Sequence, residues 1–115
     1  MSSIRTKLGE LDIASGEVEE TLYTCPIDTE ATAKVIVCNR NATAITVRVA
    51  HRTTSGTTED KNYLEYGTSI PAASDGSVTF PWTAMMQAGH SLRVWASATE
   101  VNFAAEGLEH VAATV

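Results

Sequence analysis

The chain has 115 residues, of which 43% are apolar and 19% charged, so it can form one packed domain and is too apolar for a disordered tail. Its 14 Asp and Glu residues outnumber 8 Lys and Arg residues, which gives a formal net charge of −6 and argues against general nucleic-acid binding, since that needs surplus cations. No run approaches the ~20 apolar residues of a membrane span, and the first residues lack the apolar core of a secretory signal.

Acidic residues are concentrated in the N-terminal quarter. Residues 1–30 contain two cations and seven anions, whereas the rest of the chain is nearly balanced. The weak patterning of residues 1–17 predicts an extended arm or first strand, with faint strand signals at 8–13. Two interpretations of the charge stay open: a solvated face that aids solubility, and an arm that docks on a basic partner surface and reaches neighbouring subunits.

The strongest strand signals lie in the first half of the chain. A weaker candidate at 18–24 precedes residues 32–39, which are apolar on both faces in their centre and predict a central sandwich strand. Residues 44–50 alternate, with Ile45, Val47 and Val49 on the inward face. The intervening Asn-Arg-Asn at 39–41 predicts a short hairpin loop.

The second half begins with a polar stretch at 53–62, which predicts the longest loop, and a short helical turn is possible at 59–66. Residues 77–82 alternate again, but Pro81 cannot donate to a ladder and places this strand at an edge.

Two further strands are predicted at 92–98 and 100–105, although a spacing of about one helical turn between Val101, Ala105, Leu108 and Ala112 leaves a C-terminal helix open as the alternative. Leu92, Val94 and Ala96 take the inward face of the first, which leaves Trp95 on an otherwise polar face, where it either covers a loop or joins an interface. Residues 107–115 are expected to form a tail of undefined conformation that also reaches neighbouring subunits.

Together these signals predict an all-β fold. We expect a single antiparallel β-sandwich of about seven to eight strands, either jelly-roll or immunoglobulin-like, over residues 18–106. The arm at 1–17 and the tail at 107–115 flank it. Cys25 and Cys38 are expected to be free thiols, because a hairpin of the strands at 18–24 and 32–39 would hold them apart.

Motifs for catalysis are missing from the sequence. His51, His90 and His110 occur outside any metal-binding spacing; we expect a satisfied histidine at the sheet rim for His51 and a surface residue for His90. The sequence predicts no catalytic residue, no metal site and no cofactor, and therefore no enzyme.

A binding function remains an alternative, because a sugar-stacking platform could use the aromatic side chains. The candidates are Tyr23, Tyr63, Tyr66, Trp82 and Trp95.

Several short motifs resemble one family of proteins over about residues 20–110. They are Leu22-Tyr23-Thr24 with Pro26, Val37-Cys38-Asn39-Arg40, Asn62-Tyr63 with Tyr66, Gly89, Arg93 to Ser97, and Val101-Asn102-Phe103 with Gly107 and Glu109. In this pattern the chain resembles small β-sandwich structural proteins of tailed bacteriophages. Cys25 and His90 depart from it, the first before the proline and the second after Gly89.

The resemblance implies a non-enzymatic virion protein that assembles in the host cytoplasm. The role that it favours is that of a capsid decoration (cement) protein, and the alternative is a component of the tail, neck or fibre. The partners it implies are the major capsid protein or tail and neck proteins, together with further copies of the chain in a homo-oligomer, and neither nucleic acid nor membrane.

Overall fold

The computed structural model describes residues 2–53, 57–73 and 76–111, and for residues 2–6 the backbone alone. Nine strands and one short 3₁₀ turn, η1 (Asp60–Asn62), make up this part of the chain. The strands are β1 (Ser2–Asp12), β2 (Glu20–Thr24), β3 (Thr29–Asn39), β4 (Ile45–Arg52), β5 (Tyr63–Ile70), β6 (Val78–Thr79), β7 (Ala84–Met86), β8 (Ser91–Ala96) and β9 (Val101–Val111). Within the same ranges no helix is long and apolar enough to cross a membrane.

The strands form two antiparallel sheets, and the all-β prediction is confirmed. Sheet A has the order β1-β9-β3-β6, with β7 also paired to β3, and sheet B has the order β2-β8-β4-β5. Since β6 and β7 pair with successive parts of β3, they share one strand position. Eight positions in this order are the jelly-roll arrangement of two Greek keys. The immunoglobulin-like alternative is therefore wrong.

The core lies between the sheets and follows from the alternation of apolar residues. The predicted inward sets of β4 and β8 are all buried, and so are Val101, Phe103 and Ala105 of β9. β3 is central in sheet A, as predicted, and its inward residues Val35 and Val37 are fully buried. β6 lies at the edge of sheet A, which agrees with the placement of Pro81 beside it. Burial of this apolar surface is the main favourable term that closes the sandwich.

The two chain ends are both drawn into the sandwich. Residues 2–12 form β1, which pairs with β9 as an edge strand of sheet A, so the structure agrees with the first-strand alternative for this segment and not with the extended arm. β9 continues to Val111, so the predicted sandwich boundary at 106 falls inside a strand. Residues 107–111 of the expected tail are thus paired with β1 and β3, and residues 112–115 lie outside the described ranges.

The predicted hairpins are also different in the structure. β2 pairs with β8, and β3 pairs with β9, so no hairpin joins β2 to β3. The Asn-Arg-Asn loop crosses from sheet A to sheet B. Cys25 and Cys38 are nevertheless both free, since they lie at opposite ends of β3 and about 30 Å of strand separates them. The predicted loop at 53–62 contains η1 and, at 54–56, residues outside the description.

Two glycines mark close approaches of the backbone. A Cβ atom at Gly9 would overlap the carbonyl oxygen of Leu22, where β1 passes over β2. A Cβ atom at Gly107 would overlap the carbonyl oxygen of Thr32. Both positions therefore need glycine for space, and Gly107 explains how β9 continues beside β3 beyond the predicted boundary.

Candidate functional site

Two of the three histidines meet at the rim of the sandwich. His51 near the end of β4 and His90 before β8 place Nε2 and Nδ1 3.1 Å apart. The backbone N–H of Gln87 donates to the same Nδ1 atom at 3.2 Å, which favours the arrangement in which His51 is the donor of the histidine pair. Burial, and then the neighbouring His90, lower the pKa of His51. The expected rim position of His51 agrees with this geometry, whereas its pairing with His90 was missed.

A second polar group lies inside the sandwich near the same end. The Tyr23 hydroxyl donates to Glu109 Oε2 at 2.6 Å, and the Cys25 thiol donates to the Thr29 carbonyl at 3.3 Å. Burial is the main cause that raises the pKa values of both Tyr23 and Cys25. Both groups are thereby held in their neutral forms. They can stabilise the fold through their hydrogen bonds, but a neutral thiol or phenol is a poor nucleophile.

The five aromatic residues proposed for sugar stacking do not form one platform. Tyr23 is buried, while Trp82 stacks on Phe80 with centroids 5.3 Å apart and donates from Nε1 to Glu65 at 2.6 Å. The remaining three share the outer face of sheet B. They are Tyr63, Tyr66 and Trp95.

An arginine binds these rings together. The Arg48 guanidinium carbon lies 4.4 Å from the centroid of Tyr66 and 4.1 Å from that of Trp95, so the cation is held between two aromatic faces. Tyr63 contacts Tyr66 edge-on at 4.8 Å. This packing explains the unexpected place of Trp95 on a polar face: it covers Arg48.

Next to this stack the outer face of sheet B contains a cleft of about 370 Å³, which we call the arginine cleft. Its walls are Glu19, Arg48, Arg52, Thr57, Thr58, Tyr63, Arg93 and Trp95. Three guanidinium groups against one carboxylate give it a net positive charge, in a protein whose net charge is −6. The site could not be predicted from the sequence, because its cations come from β4 and β8, which are far apart in the chain.

Polar atoms without a protein partner are concentrated in the arginine cleft. Arg93 bonds Glu19 at 3.5 Å and Thr21 through its terminal nitrogens, but its Nε atom is buried and unbonded within the described ranges. The same holds for Arg48 Nε and Thr58 Oγ1. A buried polar atom without a partner costs about 1–3 kcal/mol, so the cleft is suited to bind a ligand with hydrogen-bond acceptors.

Larger grooves on the outer face of sheet A have different chemistry. Two of them, of about 520 and 610 Å³, share Lys7 in their walls. Their charges are largely paired across the surface, as in the 2.9 Å bridge from Lys7 to Glu10 and the 2.5 Å bridge from Arg40 to Asp12. Paired, exposed charges of this kind give little specificity for a ligand.

Two large apolar side chains are exposed near one end of sheet A. Ile27 in the β2–β3 turn is 83% exposed and Met85 in β7 is 74% exposed. Both lie beside shallow clefts that share Glu30, Gln87 and His110. We call Ile27 and Met85 the apolar end patch. Within the described residues, no group of three or more metal-ligating side chains is present there or elsewhere.

Comparisons with known proteins give a likeness in fold only. No protein-family model matches the chain, and no curated protein matches it. A chain in a structure of infectious bursal disease virus, Gx strain, superposes with a TM-score of 0.53 at 11% identity over 94% of this chain. This chain spans about a third (32%) of that one.

Two other solved structures are similar at lower scores. A pentameric capsid protein from metagenomic phage sequences has a TM-score of 0.37 at 20% identity, over 92% of this chain and 62% of that one. The infectious bursal disease virus VP2 subviral particle has a TM-score of 0.38 at 15% identity, over 94% and 31% of the two chains.

Proposed function

We propose that the chain is a non-enzymatic structural subunit of a virus particle, and more narrowly a capsid decoration protein of a tailed bacteriophage. The observation that carries the proposal is the jelly-roll strand order, an arrangement that is frequent in viral capsid domains. The superposition with the infectious bursal disease virus chain supports it at the level of fold. The narrower assignment rests on the phage-like motifs in the sequence.

The residues of the phage-like motifs stabilise this fold, which supports the proposal. Asn39 and Arg40 fix the crossing between the sheets, and Val101 and Phe103 fill the core. Such positions define a rigid sandwich and supply no reactive group. A subunit that stabilises a shell needs rigidity and contact surfaces, which agrees with this distribution.

The apolar end patch is the surface that we assign to contacts between subunits. Ile27 and Met85 have the highest exposed fractions among the large apolar side chains of the described residues, and exposed apolar surface is what a contact in an assembly buries. Many copies in a shell add modest contacts of this kind into a stable particle. We therefore expect the chain to form homo-oligomers through this end.

Sedimentation of purified protein tests this contact. Replacing both patch residues, Ile27→Ser and Met85→Ser, should shift the wild-type oligomer to monomer while the far-UV circular dichroism stays unchanged. Leu64→Ser on β5 is the matched control, since Leu64 is 39% exposed on the other sheet and should leave the oligomer intact. A wild-type chain that stays monomeric, or an equal effect of both changes, would contradict the assignment of this surface.

A further inference from the structure

We propose that the arginine cleft binds an acidic sugar unit, a saccharide that carries one carboxylate beside its hydroxyl groups. This binding site goes beyond a role as a shell subunit and uses a different face of the molecule. The geometry that supports it is confined to the outer face of sheet B.

The carboxylate preference follows from the guanidinium groups. Arg48 and Arg93 each present a buried Nε–H that no described residue accepts. Guanidinium groups bind carboxylates with charge-assisted, often bidentate hydrogen bonds. A carboxylate bound in the cleft would bring acceptor oxygens to guanidinium groups that now have unused donors. It would also offset the repulsion between neighbouring cations in the cleft.

The preference for a sugar follows from the other walls. Glu19 accepts hydrogen bonds and disfavours a ligand with several negative charges, such as phosphate or an acidic peptide. The Thr58 hydroxyl is buried and unbonded within the described ranges, so it is available to a hydroxyl group. Tyr63 and Trp95 add apolar ring surface at the sides. One carboxylate together with hydroxyl donors and an apolar ring face describes an acidic monosaccharide unit.

The cleft has the size and stability that such a site needs. Its volume of about 370 Å³ lies within the usual range for small-molecule pockets. Arg48 is already fixed between Tyr66 and Trp95, so little side-chain entropy is lost when the ligand binds. For a single sugar we expect roughly millimolar affinity, with tighter binding when several copies engage one glycan.

A nuclear magnetic resonance titration with sodium D-glucuronate tests the proposal, with D-glucose as the neutral counterpart. The two indole N–H signals act as probes, because Trp95 lines the cleft and Trp82 donates to Glu65 elsewhere. We expect a saturable shift of the Trp95 signal with glucuronate, no shift with glucose, and a constant Trp82 signal.

Variants then locate the binding. Arg93→Gln should weaken glucuronate binding at least about tenfold, which corresponds to the loss of one hydrogen bond to a charged group. Arg52→Gln is a second cleft variant, in case the first does not fold. Arg40→Gln on the far sheet is the matched control and should bind like the wild type, because Arg40 pairs with Asp12 outside the cleft.

Sodium phosphate and a tetraglutamate peptide complete the test. Weaker binding of both than of glucuronate supports the sugar. Equal or tighter binding of tetraglutamate would overturn it in favour of a contact with an acidic protein segment, and equal binding of phosphate would reduce the cleft to an unspecific anion site. No Trp95 shift with glucuronate at tens of millimolar (roughly tenfold above the expected dissociation constant) would also overturn it.

Discussion

Asn39 and Asn41 form a hydrogen-bonded pair that joins three connections of the sandwich. The Asn39 Oδ1 atom accepts from the backbone N–H and the side-chain amide of Asn41, both at 2.9 Å. Asn39 Nδ2 donates to the carbonyls of Thr43 and Pro71 at 3.0 Å, and Asn41 Nδ2 donates to that of Thr99 at 2.9 Å. The pair thus fixes the crossing from β3 to β4 against the ends of β5 and β8.

Asn39→Asp should destabilise the protein strongly. Asn39 is 1% exposed, and the replacement puts a carboxylate oxygen where an amide now donates to two carbonyl groups. We expect a loss of about 3 kcal/mol in the free energy of unfolding, measured by urea denaturation. Asn102→Asp, the same change at a partly exposed position of β9, should cost much less. Similar losses for the two variants would contradict the role of the pair.

Gly107→Ala should also destabilise the sandwich, since the added methyl group would overlap the Thr32 carbonyl oxygen. Strain from such overpacking costs roughly 1–3 kcal/mol, which thermal unfolding followed by circular dichroism would detect. Glu106→Ala introduces the same residue at the exposed neighbouring position and should change the melting temperature only slightly. An unchanged melting temperature for Gly107→Ala would mean that β9 does not follow β3 as closely as described.

Stability should fall as the pH drops below 6.5. Burial and His90 lower the pKa of His51 in the folded state, while the unfolded chain keeps the ordinary value of 6.5 and so binds more protons in this window. Acid therefore favours the unfolded state. The stability that His51 contributes is fully present above pH 6.5 and is lost as the pH falls from 6.5 through the lower pKa of the folded state. His51→Gln should flatten the melting temperature between pH 7 and 5, whereas His110→Gln should not. A wild-type profile that is already flat would contradict the effect.

The two thiols should differ in reactivity. Cys25 is 1% exposed, and burial raises its pKa, so little thiolate is available to an alkylating or disulfide reagent. Cys38 faces outward on sheet A and is partly exposed. We expect one fast-reacting thiol in native protein and two in concentrated urea, with Cys38→Ser removing the fast phase. Rapid reaction of both thiols in native protein would argue against the buried position of Cys25.

The sequence predicted which face of each strand is buried more reliably than it predicted which strands pair with each other. Alternation in β4 identifies Val47 and Val49 as inward, because successive side chains of a strand point to opposite faces. The same alternation carries no information on which strand lies alongside, so the pairing of β2 with β8 and of β1 with β9 could not be derived from it. The close approach of Gly107 to β3 likewise depends on which strand lies alongside, so it becomes visible only in three dimensions.

The arginine cleft was outside the reach of sequence reasoning for a related reason. Arg48 and Arg93 are 45 positions apart and become neighbours only because β4 pairs with β8. The one available signal was Trp95, whose apolar ring on a polar face indicated an unusual outer surface. In the structure that ring contacts Arg48.

A density map of the intact particle of the virus that encodes this chain tests the central claim most directly. We expect many symmetry-related copies of the jelly roll on the shell, with the apolar end patch buried against a neighbour and the arginine cleft open to solvent. Density for the chain in the tail or neck would keep the structural role and remove the assignment as a decoration protein. Purified particles that lack the chain altogether would contradict a structural role.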